Sequence, residues 1–394
     1  MRMLFTCRPT MGHFQPLLPL ATAARQRGHA VAFATGEPIA TRARALGFDC
    51  ETAGLSDTAS RAARDQTGIV FRDLPPDQIR PFAFGRWFAG IEAPPRLADL
   101  DRICAGFRPD VVMHETAELA APLAAASAGL PWVTVGFGVL IPSEVIALAA
   151  EVLAPLWQGR GLAVPPWGGL YKHLYVDPCP STLQTAEIAD LPAVIRIGLE
   201  AGADNAKAAE RRAASRVYVT FGTLWNTSPA AVERMRLAVA GSADACADVV
   251  ATTGSDTDPA SLGPQPAHVR VERFIPQGEL LPTCACVVAH GGSGTLLGAL
   301  AWGLPLLILP QSADQFDNAK CATRAGVALS LMPADISRAA VADHVRRLLA
   351  EPAFAARAAE VRAELAAMPD VGAVLDRIEA VAASCSTPPR QGAS

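Results

Sequence analysis

The chain has 394 residues, of which 51% are hydrophobic and 18% charged, and its formal net charge is -4. A charge so close to balance leaves no electrostatic footprint for nucleic acid or an anionic membrane, and the length, at ~150 residues per domain, gives two or three globular domains, with two as the working number. The nine cysteines include no CxxC pair, no apolar run approaches the ~20 residues of a membrane span, and no signal-peptide pattern precedes the first strand, so the expected location is a reducing cytoplasm with free thiols.

Residues 3–7 (MLFTC) read as a strand, 16–28 as a helix, 30–35 (AVAFAT) as a strand and 38–47 as a helix. Strands alternating with helices imply a parallel sheet covered on both faces. The turn TCRPTMGHFQP presents Gly12 and His13 at the start of the first helix. Residues 56–95 are less regular and carry Phe71, Phe82, Phe84, Trp87 and Phe88. The alternation resumes with the strand 110–115 (DVVMHE), a helix over 117–129 and a strand over 131–137 that ends at Phe137. Residues 138–180, with Trp157, Trp167 and Tyr171 among prolines and glycines, fit loops and helices over a pocket. Phe82, Trp87 and Phe137 are candidates for binding a large apolar molecule, and packing as core is an equal alternative.

The polar stretch 201–215 reads as a linker, giving an N-terminal domain over 1–205, a C-terminal domain over 206–383 and a disordered tail over 384–394. The second half restarts with the strand 216–223 (RVYVTFGT), which presents Gly222 and Thr223, and continues through a helix at 229–240 and strands at 248–254, 269–274, 284–290 and 304–310. The fold class is therefore α/β, with two doubly wound domains facing each other across a ligand cleft at the carboxyl ends of their strands.

The run His290–Asn318, HGGSGTLLGALAWGLPLLILPQSADQFDN, holds the densest chemistry. A glycine turn leading from a strand into a helix aims unpaired backbone N–H groups and the positive end of the helix dipole at one point, where a diphosphate fits. Gly291, Gly292 and Gly294 supply the turn, and His290, Ser293 and Thr295 add donors. Asp314 and Gln315, one strand later, suit sugar hydroxyls, with an N-cap role as the alternative for Asp314. No Lys follows the glycines, so this is no P-loop, and glycines at 292, 294 and 298 are spaced too widely for a dinucleotide fingerprint. Asp256 and Asp258 spell a DxD within a Gly/Pro-rich loop, which reads as a solvated turn.

The GHFQP turn, FGT at 221–223, RFIPQ at 273–277 and HGGSGT followed by DQ together resemble the family 1 glycosyltransferases of the GT-B fold, over nearly the whole chain. The resemblance is closest to bacterial enzymes that glycosylate antibiotics and other natural products. It implies inverting transfer of a sugar from a nucleotide donor to an acceptor hydroxyl, with no cofactor and no metal, the aglycone in the N-terminal domain and the donor in the C-terminal one. By resemblance His13 is the general base, and a neutral imidazole is chemically suited to the task. A carboxylate that orients it is expected at Glu115 or Asp110. Gly222, Thr223, His290 and residues 291–295 would hold the diphosphate, Phe274, Ile275 and Gln277 the nucleobase, and Asp314 and Gln315 the sugar.

In members that use UDP-sugars a Glu, three residues past the Ser/Thr of the glycine turn, commonly grips the ribose. Here that position is Gly298, which points to dTDP, a nucleotide without the 2′-hydroxyl. A UDP-sugar donor and a GT-B sugar-nucleotide epimerase are the alternatives. Small-molecule partners and a monomer or homodimer complete the expectation.

Overall fold

The computed structural model describes residues 1–70, 74–198, 216–222, 228–254 and 257–386. They form two all-parallel sheets, each covered by helices, as the alternation of strand and helix implies. The first sheet contains β1 (Arg2–Thr6), β2 (Ala30–Thr35), β3 (Asp49–Thr52), β4 (Val111–Glu115), β5 (Trp132–Val135), β6 (Leu174–Asp177) and β7 (Val194–Arg196), in the order β3-β2-β1-β4-β5-β6-β7. The central strands β4 and β5 are buried along their whole length, as expected where helices cover both faces. The edge strand β3 is mostly exposed and carries Asp49 and Glu51, charges that discourage pairing with another chain.

The second sheet contains β8 (Val217–Thr220), β9 (Val249–Thr252), β10 (Val269–Glu272), β11 (Cys286–Ala289), β12 (Leu306–Ile308) and β13 (Ala328–Ser330), in the order β10-β9-β8-β11-β12-β13. In each sheet the strand order reverses between the first strand and the fourth. Thr6 pairs with His114 across β1 and β4, and Thr220 with Ala289 across β8 and β11. A reversal of this kind opens a crevice at the carboxyl ends of the two strands.

The chain divides into one compact unit of Met1–Pro178, Ala186–Ile197 and Pro369–Ser394 and a second of Cys179–Thr185 and Gly198–Met368. This corrects the expected assignment of everything up to residue 383 to the second half. The helix Val371–Ser386 buries Val374, Leu375 and Ile378 in the core of the first unit with Leu17 and Leu20. Arg27 bonds Asp376 at 2.6 Å and the Gly372 carbonyl at 2.8 Å, fixing the same helix from the side. Residues 384–386, expected in the disordered tail, are the last turn of that helix. The rest of the tail, and the proposed linker at 201–215, lie outside the described residues.

Most described residues of the stretch 56–95 are helical rather than irregular: Asp57–Asp65, Pro76–Pro81, a wide π-helix at Phe82–Glu92 and the start of Ala93–Phe107. Its aromatic residues escape a 3.6-residue period because the π-helix turns more slowly. Phe82, Phe84, Trp87 and Phe88 are all buried, whereas Phe71 lies outside the described residues.

Candidate active site

The crevice of the first sheet holds the proposed base. β1 ends at Thr6, and His13 follows on the short helical turn Met11–Phe14. Glu115 ends β4 and is fully buried. The Nδ1 of His13 stands 3.0 Å from Glu115 Oε2, at ion-pair distance but off the line of an aligned hydrogen bond. Oε2 also accepts from the Ala117 amide at 2.6 Å, and Oε1 from the Arg8 amide at 3.2 Å. Burial pushes the Glu115 carboxyl up, but His13 and the two amides outweigh it and hold the group below the ordinary carboxylate range. The alternative carboxylate, Asp110, is engaged elsewhere, accepting from the Arg2 amide at 2.7 Å. His114 is a core residue: its Nδ1 meets the Glu118 carbonyl at 2.9 Å, its Nε2 meets Thr134 Oγ1 at 2.9 Å, and burial lowers it to about 4.

Sequence reasoning passed over Arg8. Its Nη1 lies 3.2 Å from His13 Nε2, and since a guanidinium can only donate, Nε2 is the acceptor and Nδ1 carries the ring proton toward Glu115. Arg8 is buried and held by Glu92, with Nε to Oε2 at 2.6 Å and Nη2 to Oε1 at 2.8 Å. Burial raises the Glu92 carboxyl, but the charge and hydrogen bonds of Arg8 prevail and bring it down to about 2. The guanidinium lies 3.6 Å from the centre of the Phe88 ring. A charged residue directly after a parallel strand, one turn before a glycine–histidine pair, was the available signal.

Of the aromatic candidates, Phe137 stands edge-on to His13 with ring centres 5.2 Å apart. Trp87 is buried, donates through Nε1 to Ser60 Oγ at 2.7 Å and lies under the guanidinium of Arg64. Phe82 is buried in the π-helix.

The crevice of the second sheet holds the described residues expected to form an anion cradle. Gly222 follows β8, and His290 follows β11. Gly222 has φ +72°, and a Cβ there would stand 2.7 Å from His290 Cε1. Thr223 lies outside the described residues. The helix Ser293–Ala301 starts from Gly292 with no side-chain cap, so its first N–H groups remain available to an anion. The glycines divide into two kinds. A Cβ at Gly291, where φ is +89°, would stand 2.6 Å from Ile308 Cγ2, and one at Gly292 would stand 2.5 Å from His290 Nε2. Gly294 faces open space. Two of the three glycines are thus explained by the protein's own packing rather than by approach of a phosphate. Burial lowers His290 to about 4, so the ring is neutral near neutrality.

Ser293 Oγ donates to Asp314 Oδ2 at 2.7 Å, and Asn318 Nδ2 reaches the same oxygen at 3.0 Å. Asp314 sits at the N-cap position of Gln315–Arg324 but makes no side-chain cap bond, so the capping alternative does not account for its carboxylate. Gln315 is buried, its Oε1 accepting from the Gln311 amide at 2.7 Å and the Ser312 amide at 3.0 Å. Gln277 Nε2 donates to Thr295 Oγ1 at 3.3 Å, and Ile275 is partly buried nearby in sequence. Phe274 is 70% exposed, unusual for a phenylalanine and suited to stacking on a flat ring. Asp258, the described half of the DxD pair, caps the turn Pro259–Leu262, whereas Asp256 lies outside the described residues. Among the described residues no group of three His, Cys, Asp or Glu could hold a metal ion, and no helix is long and apolar enough to cross a membrane.

Residues 235–381 match the family model described as the C-terminal domain of erythromycin biosynthesis protein CIII-like proteins. The L-demethylnoviosyl transferase of Streptomyces niveus is 34% identical, over 84% of this chain and 85% of its own. The elloramycin glycosyltransferase of Streptomyces olivaceus is 32% identical over 96% of this chain and 97% of its own. A solved spinosyn rhamnosyltransferase complexed with thymidine diphosphate superposes with a TM-score of 0.77 at 26% identity, covering 96% of this chain and all of the other.

Proposed function

The chain belongs to the bacterial natural-product glycosyltransferases of the GT-B fold, and from that premise we propose that it moves a deoxysugar from dTDP to a hydroxyl of an apolar aglycone with inversion. The observation that carries the chemistry is His13 held between Glu115 and Arg8. With Nδ1 protonated against the carboxylate, Nε2 keeps the lone pair that takes the acceptor proton. As that proton leaves, the acceptor oxygen bonds the anomeric carbon from the face opposite the departing diphosphate, which carries away the electron pair of the broken C–O bond. Attack from the opposite face inverts the anomeric centre.

The uncapped helix start at Ser293, with His290 and Asp314 beside it, offers donors to the diphosphate and a carboxylate to the sugar. The choice of dTDP rests on Gly298. A Cβ there would meet Gln277 Oε1 at 3.6 Å and Leu281 Cδ1 at 3.7 Å, ordinary contact distances that leave room for alanine. Protein packing therefore does not demand this glycine, and no side chain at this position rewards a ribose 2′-hydroxyl. A charge-assisted hydrogen bond to that hydroxyl would contribute roughly 1.5–3 kcal/mol. The thymidine diphosphate complex of the spinosyn rhamnosyltransferase supports the same nucleotide. Calorimetric titration with dTDP and UDP tests this reading: dTDP should bind at least as tightly, and UDP binding tenfold tighter would overturn it.

A further inference from the structure

We propose that Arg8 is the residue that positions the acceptor oxygen, and that it selects an acceptor whose nucleophile is a phenol or enol rather than an aliphatic alcohol. The inference rests on His13 as the base. Both Nε and Nη2 of Arg8 are committed to Glu92, and the remaining arm, Nη1, points at His13 Nε2 from 3.2 Å. An acceptor oxygen must come within about 2.6–3.2 Å of Nε2 to give up its proton. At a separation of 3.2 Å the reach of Nη1 and that of Nε2 overlap, so one oxygen can accept from Arg8 while donating to His13.

Proton transfer makes this arrangement necessary. Once Nε2 carries the acceptor's proton it becomes a donor and can no longer accept from Arg8. Two cationic donors would then face each other in a largely buried place, and an anionic oxygen between them satisfies both. The Arg8 hydrogen turns from Nε2 to the acceptor oxygen, the oxygen's proton goes to Nε2, and its electron pair forms the bond to the anomeric carbon. A guanidinium beside the oxygen stabilises its charged form over its neutral one. A hydroxyl whose anion is already spread over an aromatic ring or a conjugated carbonyl lies close enough to ionisation for one guanidinium to tip it, whereas an aliphatic alcohol does not.

The probe is 7-hydroxycoumarin, a phenol whose absorption distinguishes phenol from phenolate, with 7-(hydroxymethyl)coumarin as an alcohol of similar size. At a pH where the free probe is protonated, saturating wild-type protein should shift the spectrum toward phenolate. Arg8→Met combined with Glu92→Gln removes both buried charges together and so avoids leaving one unpaired. It should abolish the shift and weaken phenol binding about tenfold, the size expected for one charge-assisted hydrogen bond. Binding of the hydroxymethyl compound should change by less than twofold. If that variant does not fold, Arg8→Lys keeps a cation opposite Glu92 but lacks the third arm, and it too should lose the shift. A wild type that gives no saturable phenolate signal overturns the proposal, as does a folded variant that keeps it. His13→Ala separates this from the base assignment: the shift should persist there, with the phenol's proton lost to solvent, while transfer to an alcohol acceptor, which cannot ionise unaided, is lost. Loss of the shift in His13→Ala would move the anion's partner from Arg8 to the imidazole, whereas retained transfer would remove the base and leave the binding result standing.

Discussion

A Cβ placed on Gly222 would stand 2.7 Å from Cε1 of His290, closer than side chains tolerate, and the two residues lie just beyond the ends of neighbouring parallel strands at the reversal of the second sheet. Gly222 also sits at φ +72°, where an L-side chain costs roughly 1–2 kcal/mol. Gly222→Ala should therefore push the imidazole out of the anion cradle, lowering dTDP affinity by about tenfold or more while the protein remains folded. Calorimetry decides it, and unchanged dTDP affinity in the folded variant would detach Gly222 and His290 from the donor site.

His290 also gives the protein an acid sensitivity whose sign is fixed. Burial lowers its folded value to about 4 from the ordinary 6.5. Below about pH 6.5 the unfolded chain takes up a proton that the folded chain refuses, so this contribution to stability is present above 6.5 and is lost as pH falls toward 4. The slope approaches about 1.4 kcal/mol per pH unit inside that window. Bound dTDP, by favouring the imidazolium, should flatten the slope. Thermal unfolding from pH 4 to 7, with and without dTDP and in His290→Gln, reads the effect. An identical slope in His290→Gln would assign the acid sensitivity to other groups.

Donor charge in this reading is met by backbone N–H groups at Ser293 and by His290, so transfer should survive EDTA. Asp258→Ala should change the rate by less than twofold, since Asp258 caps an exposed turn. Activity lost in EDTA and restored by magnesium or manganese would return the DxD pair to the mechanism.

Asp314 offers a way to separate recognition of the sugar from recognition of the nucleotide. Its Oδ2 is held by Ser293 and Asn318, which orients the carboxylate and leaves Oδ1 for a hydroxyl. Asp314→Ala should raise the KM for a dTDP-sugar about tenfold while leaving dTDP affinity within twofold to threefold, the gap being roughly one hydrogen bond to a charged group. Equal losses for dTDP and the dTDP-sugar would mean that Asp314 shapes the cradle instead of binding the sugar.

Strand-helix alternation made both parallel sheets legible, since buried runs such as VVM at 111–113 and CVVA at 286–289 fit strands covered by helices on both faces. His13 and the glycine turn were legible for the same reason, because each lies where the chain passes from a strand into a helix. What stayed hidden depends on contacts distant in sequence. Arg8 acquires its meaning from Glu92, 84 positions away, and a π-helix offers no familiar period by which to align Glu92. The last helix gave no local sign of its partner: its apolar stripe fits either sheet, and its place follows from Arg27 and His29 meeting Asp376 and Glu379. Gly291 and Gly292 read alike beside Gly294, and their difference comes from Ile308 and the His290 ring.

The central prediction concerns the base and the carboxylate behind it. His13→Ala should leave a folded, dTDP-binding protein whose transfer rate falls by about 10²- to 10⁴-fold, the usual worth of general-base catalysis. Glu115→Gln is the sharper test of orientation than Glu115→Ala, because alanine would strand the buried amides of Arg8 and Ala117 that the carboxylate now accepts from. Glutamine keeps a side-chain oxygen for one amide and removes the charge facing Nδ1. It should slow transfer by at least about tenfold, yet less than His13→Ala does, since Glu115 acts through the ring and not on the acceptor. Asp110→Ala, which gives up a bond to the Arg2 amide at the far end of the strand, should leave kcat within twofold. Steady-state rates on one acceptor, paired with dTDP affinities to exclude unfolding, decide the order. If Asp110→Ala slows the folded enzyme more than Glu115→Gln, the carboxylate assignment is reversed, and near-normal turnover in His13→Ala removes the imidazole from the reaction altogether.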